Sequence, residues 1–132
     1  MKLKDIQVIH PNQRETEVSS GTMTRLAGVS RALVGAEGIH LAIATVPPGC
    51  QSSAHRHINC ESAIYITKGH GKIIVGAALD TALDIGPGDF IYIPEGATHQ
   101  PVNTNKTEPL EMIVARNSPV EIVEDYSPTN KD

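Results

Sequence analysis

The chain has 132 residues, a mass of 14.1 kDa, a formal net charge of -4 and 39% hydrophobic residues, enough for one domain with its own core and too little for two. Its four aromatic residues are Tyr65, Phe90, Tyr92 and Tyr126, and no cluster of Lys or Arg offsets the negative charge. That composition argues against a stacking platform or phosphate-binding face for nucleic acid and against an anionic membrane surface as partner. No stretch approaches the roughly 18 apolar residues of a membrane span, and the N-terminus has no apolar leader core, so a cytoplasmic protein with reduced Cys50 and Cys60 is expected.

Eleven Gly and nine Pro, 20 of the 132 residues, are too many for a helical bundle and suit short strands joined by tight turns. Residues 1–35 are polar and broken by Pro11, Gly21, Gly28 and Gly35; they read as an N-terminal arm or edge strand. From Ile39 the texture changes. Ile39, Leu41, Ile43 and Thr45 alternate with His40, Ala42, Ala44 and Val46, the two-residue period of a strand, and Pro47-Pro48-Gly49 ends it. Further strands are expected at Ala63 to Thr67, Lys72 to Val75, Asp89 to Ile93, Leu110 to Ala115 and Val120 to Val123. In Gly86-Pro87-Gly88-Asp89, proline suits the second position of a turn and Gly88 the third, where a type II turn needs positive φ. This spacing predicts an all-β sandwich or barrel over residues 36–125; residues 126–132 read as a disordered tail.

His55 and His57 stand two apart, so an extended backbone points both rings to one face. Glu61 lies four residues further on, and His99 follows the turn Pro94-Glu95-Gly96. Imidazole nitrogens with one carboxylate suit a single divalent transition metal ion, Fe, Mn, Ni, Co or Zn, with positions left for water or substrate.

These residues carry a family resemblance. Gly49, five residues, His55-Arg56-His57, three residues, Glu61 and later Gly69 resemble the first cupin motif. Gly88, five residues, Pro94-Glu95-Gly96, two residues, His99, three residues and Asn103 match the second at every fixed position. The resemblance implies a double-stranded β-helix, or jelly-roll barrel, with a metal on His55, His57, Glu61 and His99, and a homodimer packed through N-terminal strands. The first motif departs from the family pattern by one residue: seven residues separate Glu61 from Gly69 where six are usual, which puts Ser62 at the usual carboxylate position. A one-residue slip reverses a side chain's face. Either a bulge near Asn59 and Cys60 returns Glu61 to the metal, or three histidines hold it with Glu61 outside; we favour Glu61 as a ligand.

The remaining histidines read as ordinary residues: His10 in the arm, His40 as a core or rim residue, His70 solvated in a turn. Cys60 reads as a small buried hydrophobe, and Gln51 and Gln100 could orient a ligand or meet a substrate. Tyr65 and Tyr92 suit packing as well as acid chemistry, and Arg25 and Arg31 read as solvated charges. No nucleophilic triad or phosphate cradle is present, so no catalytic residue is assigned. The leading expectation is a metal-dependent small-molecule enzyme of dioxygenase-like type. The alternatives are a ligand-binding or sensory cupin and a sugar isomerase-like one, because the same barrel hosts unrelated chemistries.

Overall fold

The computed structural model describes residues 4–19 and 21–127. Among these the chain forms β1 (Glu15–Glu17), β2 (Thr24–Val29), a short helix α1 (Arg31–Val34), β3 (His40–Val46) and β4 (His55–His57). There follow β5 (Ser62–Lys68), β6 (Gly71–Val75), β7 (Thr81–Ile85), β8 (Phe90–Ile93), β9 (His99–Val102), β10 (Leu110–Arg116) and β11 (Val123–Asp125). Pairing is antiparallel throughout, in one sheet of order β1-β2-β3-β10-β5-β8 and a second of order β11-β4-β9-β6-β7. The two sheets face one another as a jelly roll.

Alternation decides what lies between them. In β3 the inward series is His40, Ala42, Ala44 and Val46, all buried, while Ile39 and Leu41 of the more aliphatic series stay on the outer face. Register aligns this series with the inward residues of β10, pairing Val46 with Leu110, Ala44 with Met112, Ala42 with Val114 and His40 with Arg116. On the other side of β10, Ile66 meets Met112, Ile64 meets Val114 and Ser62 meets Arg116. The interior is therefore graded along the strands. One end is aliphatic, closed by Val46, Ile66, Ile73, Ile85 and Leu110; the other is polar, with His40, Ser62, His55, His99 and Arg116 all buried.

The turns behave as their residues require. Asp89 N–H donates to the Gly86 carbonyl at 3.1 Å with Gly88 at φ 93°, the expected type II geometry. Asn103, at the end of the second motif, is a structural clamp: its amide donates to the carbonyls of Val46, Pro47 and Glu108 at 3.1, 3.2 and 2.8 Å, and its oxygen accepts from Asn105 N–H at 3.0 Å. It is 2% exposed, so Asn103→Ala would strand buried carbonyls and is expected to cost roughly 2–3 kcal/mol in urea unfolding; a variant as stable as the parent would contradict this.

Three expectations are refined. The edge strand of the arm is β1, with β2 paired along β3, while Asp5 to Ile9 ahead of them form no strand and leave Ile6 and Val8 exposed. The last strand begins at Val123, not Val120, because residues 117–122 run irregularly across the polar end. Of the expected tail, Tyr126 is tied down, its hydroxyl donating to the Ala77 carbonyl at 2.6 Å, and residues 128–132 lie outside the described residues.

Candidate metal centre

His55 and His57 sit on β4 and His99 opposite them at the start of β9, where His55 and His99 are register partners. The three rings converge at the polar end of the barrel, with centroids 5.1, 4.4 and 5.3 Å apart. One ligand nitrogen from each lies within 4.8 Å of the others. The ring hydrogen bonds say which nitrogen that is. His55 Nδ1 lies 2.7 Å from the Ser53 carbonyl and His99 Nδ1 2.9 Å from the Ala97 carbonyl. A carbonyl only accepts, so both Nδ1 atoms carry protons and both Nε2 atoms hold lone pairs.

Glu61 is not in the group. Its side chain is exposed on the outer surface, where it accepts a hydrogen bond from the Tyr92 hydroxyl at 2.8 Å. No bulge turns it inward; Ser62 takes the inward position and lines the cavity. The hydrogen bond that Tyr92 donates to Glu61 also pushes its phenol above the ordinary range, because ionisation would remove the donor.

The carboxylate that meets the histidines is Glu121, from the irregular stretch before β11. Its Oε2 lies 3.0 Å from His57 Nδ1 and 3.2 Å from Arg116 Nη1, and its Oε1 accepts from Arg25 Nη2 at 2.6 Å. Arg25 Nε in turn donates to Glu17 at 3.0 Å, and the other Glu17 oxygen lies 3.0 Å from His40 Nε2. A line of alternating partners thus runs from β1 and β3 to the His57 ring. Arg116 spends its remaining donors on the Ser118 and Pro119 carbonyls at 2.8 and 3.1 Å. Arg25, read from sequence as a solvated charge, and His40 are part of this network. The inward parity of β10 carries the signal for Arg116; Glu121 has only its position as the one charge in Val120-Glu121-Ile122-Val123.

Electrostatics follow burial. Burial holds the His55 pKa below its ordinary value despite the Ser53 carbonyl. Burial, with repulsion from His55, pushes His99 down to about 4, so both rings are neutral near pH 7. Burial alone would raise the Glu121 pKa, but His57, Arg25 and Arg116 outweigh it and hold the carboxyl well below the usual carboxylate range. Burial raises the Cys60 thiol, which disfavours the thiolate. Gln100 is turned to the Ser52 carbonyl at 3.0 Å and Gln51 is exposed, so neither lines the histidine cavity.

With metal chelated, stability should therefore fall with acid. Between pH 6.5 and about 4 the unfolded chain takes up a proton that folded His99 refuses, a loss of roughly 3 kcal/mol at most that is complete near pH 4. Glu121 adds to it in the same direction as its low folded value is approached. Urea midpoints measured from pH 7 to pH 4 should decline; a flat profile would refute the assignment.

The cavity beneath the rings is about 50 Å³, walled by His residues, Ser62, Arg25, Arg116 and Glu121 on the polar side and by Ala42, Ala44, Ile64, Ile93 and Met112 on the apolar side. It opens past Met23, Arg25, His55, His57 and Glu121, which also line an outer recess of about 460 Å³. Among the described residues no helix is long and apolar enough to cross a membrane.

Comparison with known proteins agrees with this fold. The family model described as Cupin domain matches residues 42–116. A search of curated proteins finds no match. Among solved structures, the polyketide cyclase RemF from Streptomyces resistomycificus superposes with a TM-score of 0.77 at 20% identity, covering 92% of this chain and 85% of that one. A Lactobacillus farciminis oxalate decarboxylase in a formate complex gives 0.72 at 25% identity, covering 88% of this chain but 34% of its own. A putative sugar phosphate isomerase from Acidithiobacillus ferrooxidans gives 0.62 at 25% identity, covering 77% and 65%.

Proposed function

The chain belongs to the cupin domain family, and from that premise we propose that it is a metal-dependent enzyme acting on a small molecule, of oxygenase type. The observation that carries the proposal is the hydrogen bonding of the rings: His55 and His99 each hold a proton on Nδ1 against a main-chain carbonyl, which leaves Nε2 lone pairs in one buried place beside His57. Neutral, buried imidazoles whose outer nitrogens are fixed are the donor set a divalent transition metal requires. His55, His57 and His99 would hold it. When bound, such an ion keeps open positions at which a small oxygen-donor molecule, or O₂, can be polarised.

The other residues define what can approach. Ile64, Ile93, Met112 and Val114 exclude water from one wall, while Arg25, Arg116 and Glu121 make the facing wall polar, with the two guanidinium charges matched by Glu121 and Glu17, a wall suited to a polar ligand group. The inner space of about 50 Å³ admits only the reacting end of a molecule, with the remainder in the outer recess. The solved relatives named above include a decarboxylase, a cyclase and a putative isomerase, so the fold does not select the reaction.

The test is elemental analysis of protein purified without chelator, followed by oxygen uptake with catechol, thiol, diketone and small carboxylate substrates. Oxygen consumption dependent on the metal supports the oxygenase reading; turnover without oxygen uptake moves it to isomerase or lyase chemistry, and metal-dependent binding without turnover to a ligand-binding protein. Absence of metal after reconstitution overturns the metal centre itself.

We also propose a homodimer, supported by the exposed apolar side chains Ile6, Val8, Phe90 and Tyr92 on the arm and on the β8 edge. Light scattering should give twice 14.1 kDa; a monomer mass at micromolar concentration refutes it.

A further inference from the structure

His55 and His99 each open a strand after irregular chain, and in each case the carbonyl two residues earlier lies against Nδ1. His57 ends an extended strand, where the carbonyl two residues earlier points along the sheet and cannot serve its own ring. Its Nδ1 needs an acceptor from elsewhere. The first-motif carboxylate cannot provide one, because Glu61 faces outward. Glu121 Oε2 stands 3.0 Å away. The approach lies off the ideal hydrogen-bond line; His57 Nδ1 has no other partner, and Oε2 has beside it only the ion-pair contact of Arg116 Nη1 at 3.2 Å.

The placement of Glu121 is built. Asn59, two residues beyond His57, grips the main chain on both sides of it: Asn59 Nδ2 donates to the Val120 carbonyl at 2.8 Å, and Ile122 N–H donates to Asn59 Oδ1 at 2.7 Å. Ile58 N–H adds a bond to the Ile122 carbonyl at 3.0 Å. The turn after His57 thus carries the clamp that seats the carboxylate opposite His57. Arg25 donates to Oε1 and Arg116 stands against Oε2 as an ion pair, two cations that favour the charged carboxylate.

We infer that Glu121 is the positioning residue of the centre: a carboxylate from outside both cupin motifs, seated by Asn59, holds the proton of His57 on Nδ1 and so aims the Nε2 lone pair at the site shared with His55 and His99. The inference rests on the metal-centre reading for its consequence, but the ring tautomer is readable without metal.

The experiment is imidazole ¹⁵N–¹H correlation spectroscopy on chelated protein at pH 8, with zinc affinity measured in parallel. The wild type should show Nδ1–H on all three rings. In Glu121→Ala only His57 should move toward Nε2–H, and zinc affinity should fall roughly 10- to 100-fold, the usual cost of losing an outer partner of a ligand histidine. Glu121→Gln, whose amide oxygen can still accept, should keep the Nδ1–H form. An Nε2–H His57 in the wild type overturns the inference, and so does an unchanged His57 with zinc affinity within about twofold of wild type in Glu121→Ala. If Glu121→Ala does not fold, the wild-type spectrum decides alone. Wild-type rings in the expected tautomers with no zinc uptake would sustain the pairing and overturn the metal-centre reading.

Discussion

Replacing His99 by Ala should abolish uptake of the single divalent transition metal, a loss larger than the roughly 100-fold upper range for outer partners of a ligand. The ring supplies one of three converging nitrogens and is itself 4% exposed, so no other side chain can take its place without rearranging β9. The metal-free variant should still fold, because the aliphatic layer of Val46, Ile66, Ile73 and Leu110 lies at the opposite end of the barrel. It should also lose most of the acid sensitivity assigned to His99, since a ring held down to about 4 in the folded state is then absent from both states. Isothermal titration with zinc reads the first effect and urea midpoints at pH 7 and pH 5 the second. Zinc binding within tenfold of the parent would exclude His99 as a ligand.

Arg25→Ala should be the costliest of the charge removals, at about 3 kcal/mol. Arg25 bridges Glu17 and Glu121, and all three side chains are between 12% and 17% exposed; taking away the cation leaves two shielded carboxylates with only His40, His57 and Arg116 to answer them. The comparison is Lys72→Ala, which breaks an ion pair with an Asp84 that is 86% exposed and should leave stability unchanged within error, because such pairs are solvated whether formed or not. Equal thermal midpoints for the two variants would mean that the Glu17–Arg25–Glu121 line contributes nothing.

Local sequence carried much of this and failed at identifiable places. His55 and His57 announce a shared face by spacing alone, and the turn residues at Gly86 to Asp89 and at Pro94 to Gly96 mark where β8 begins and where His99 follows. β3 was legible as a strand, but not its orientation: the side with more aliphatic bulk, Ile39 and Leu41, faces outward, because the interior at the polar end needs the small Ala42 and Ala44 to leave room beside the rings. Glu61 misled for the reason its register suggested. Facing is decided by parity with Ile64 and Ile66, and parity puts Ser62 inside. Glu121 could not be read from motif spacing, because its relation to His57 exists only through the pairing of β4 with β11, which lie far apart in sequence. A charged residue flanked by Val120, Ile122 and Val123 is the kind of local mismatch that marks a functional placement.

The sheet order β3-β10-β5 has a consequence for biosynthesis. β10 is the central lane, yet it is the last long strand to be made. While the chain emerges, β3 and β5 have no common neighbour, and each presents an unsatisfied row of main-chain donors and acceptors. Only when residues 110–116 insert does the sheet close, and only five residues later does Glu121 reach Arg25, a contact spanning 96 positions. His57 is therefore translated long before its carboxylate partner, and a nascent or truncated chain ending short of β10 carries the three histidine rings on an open, aggregation-prone pair of half-sheets.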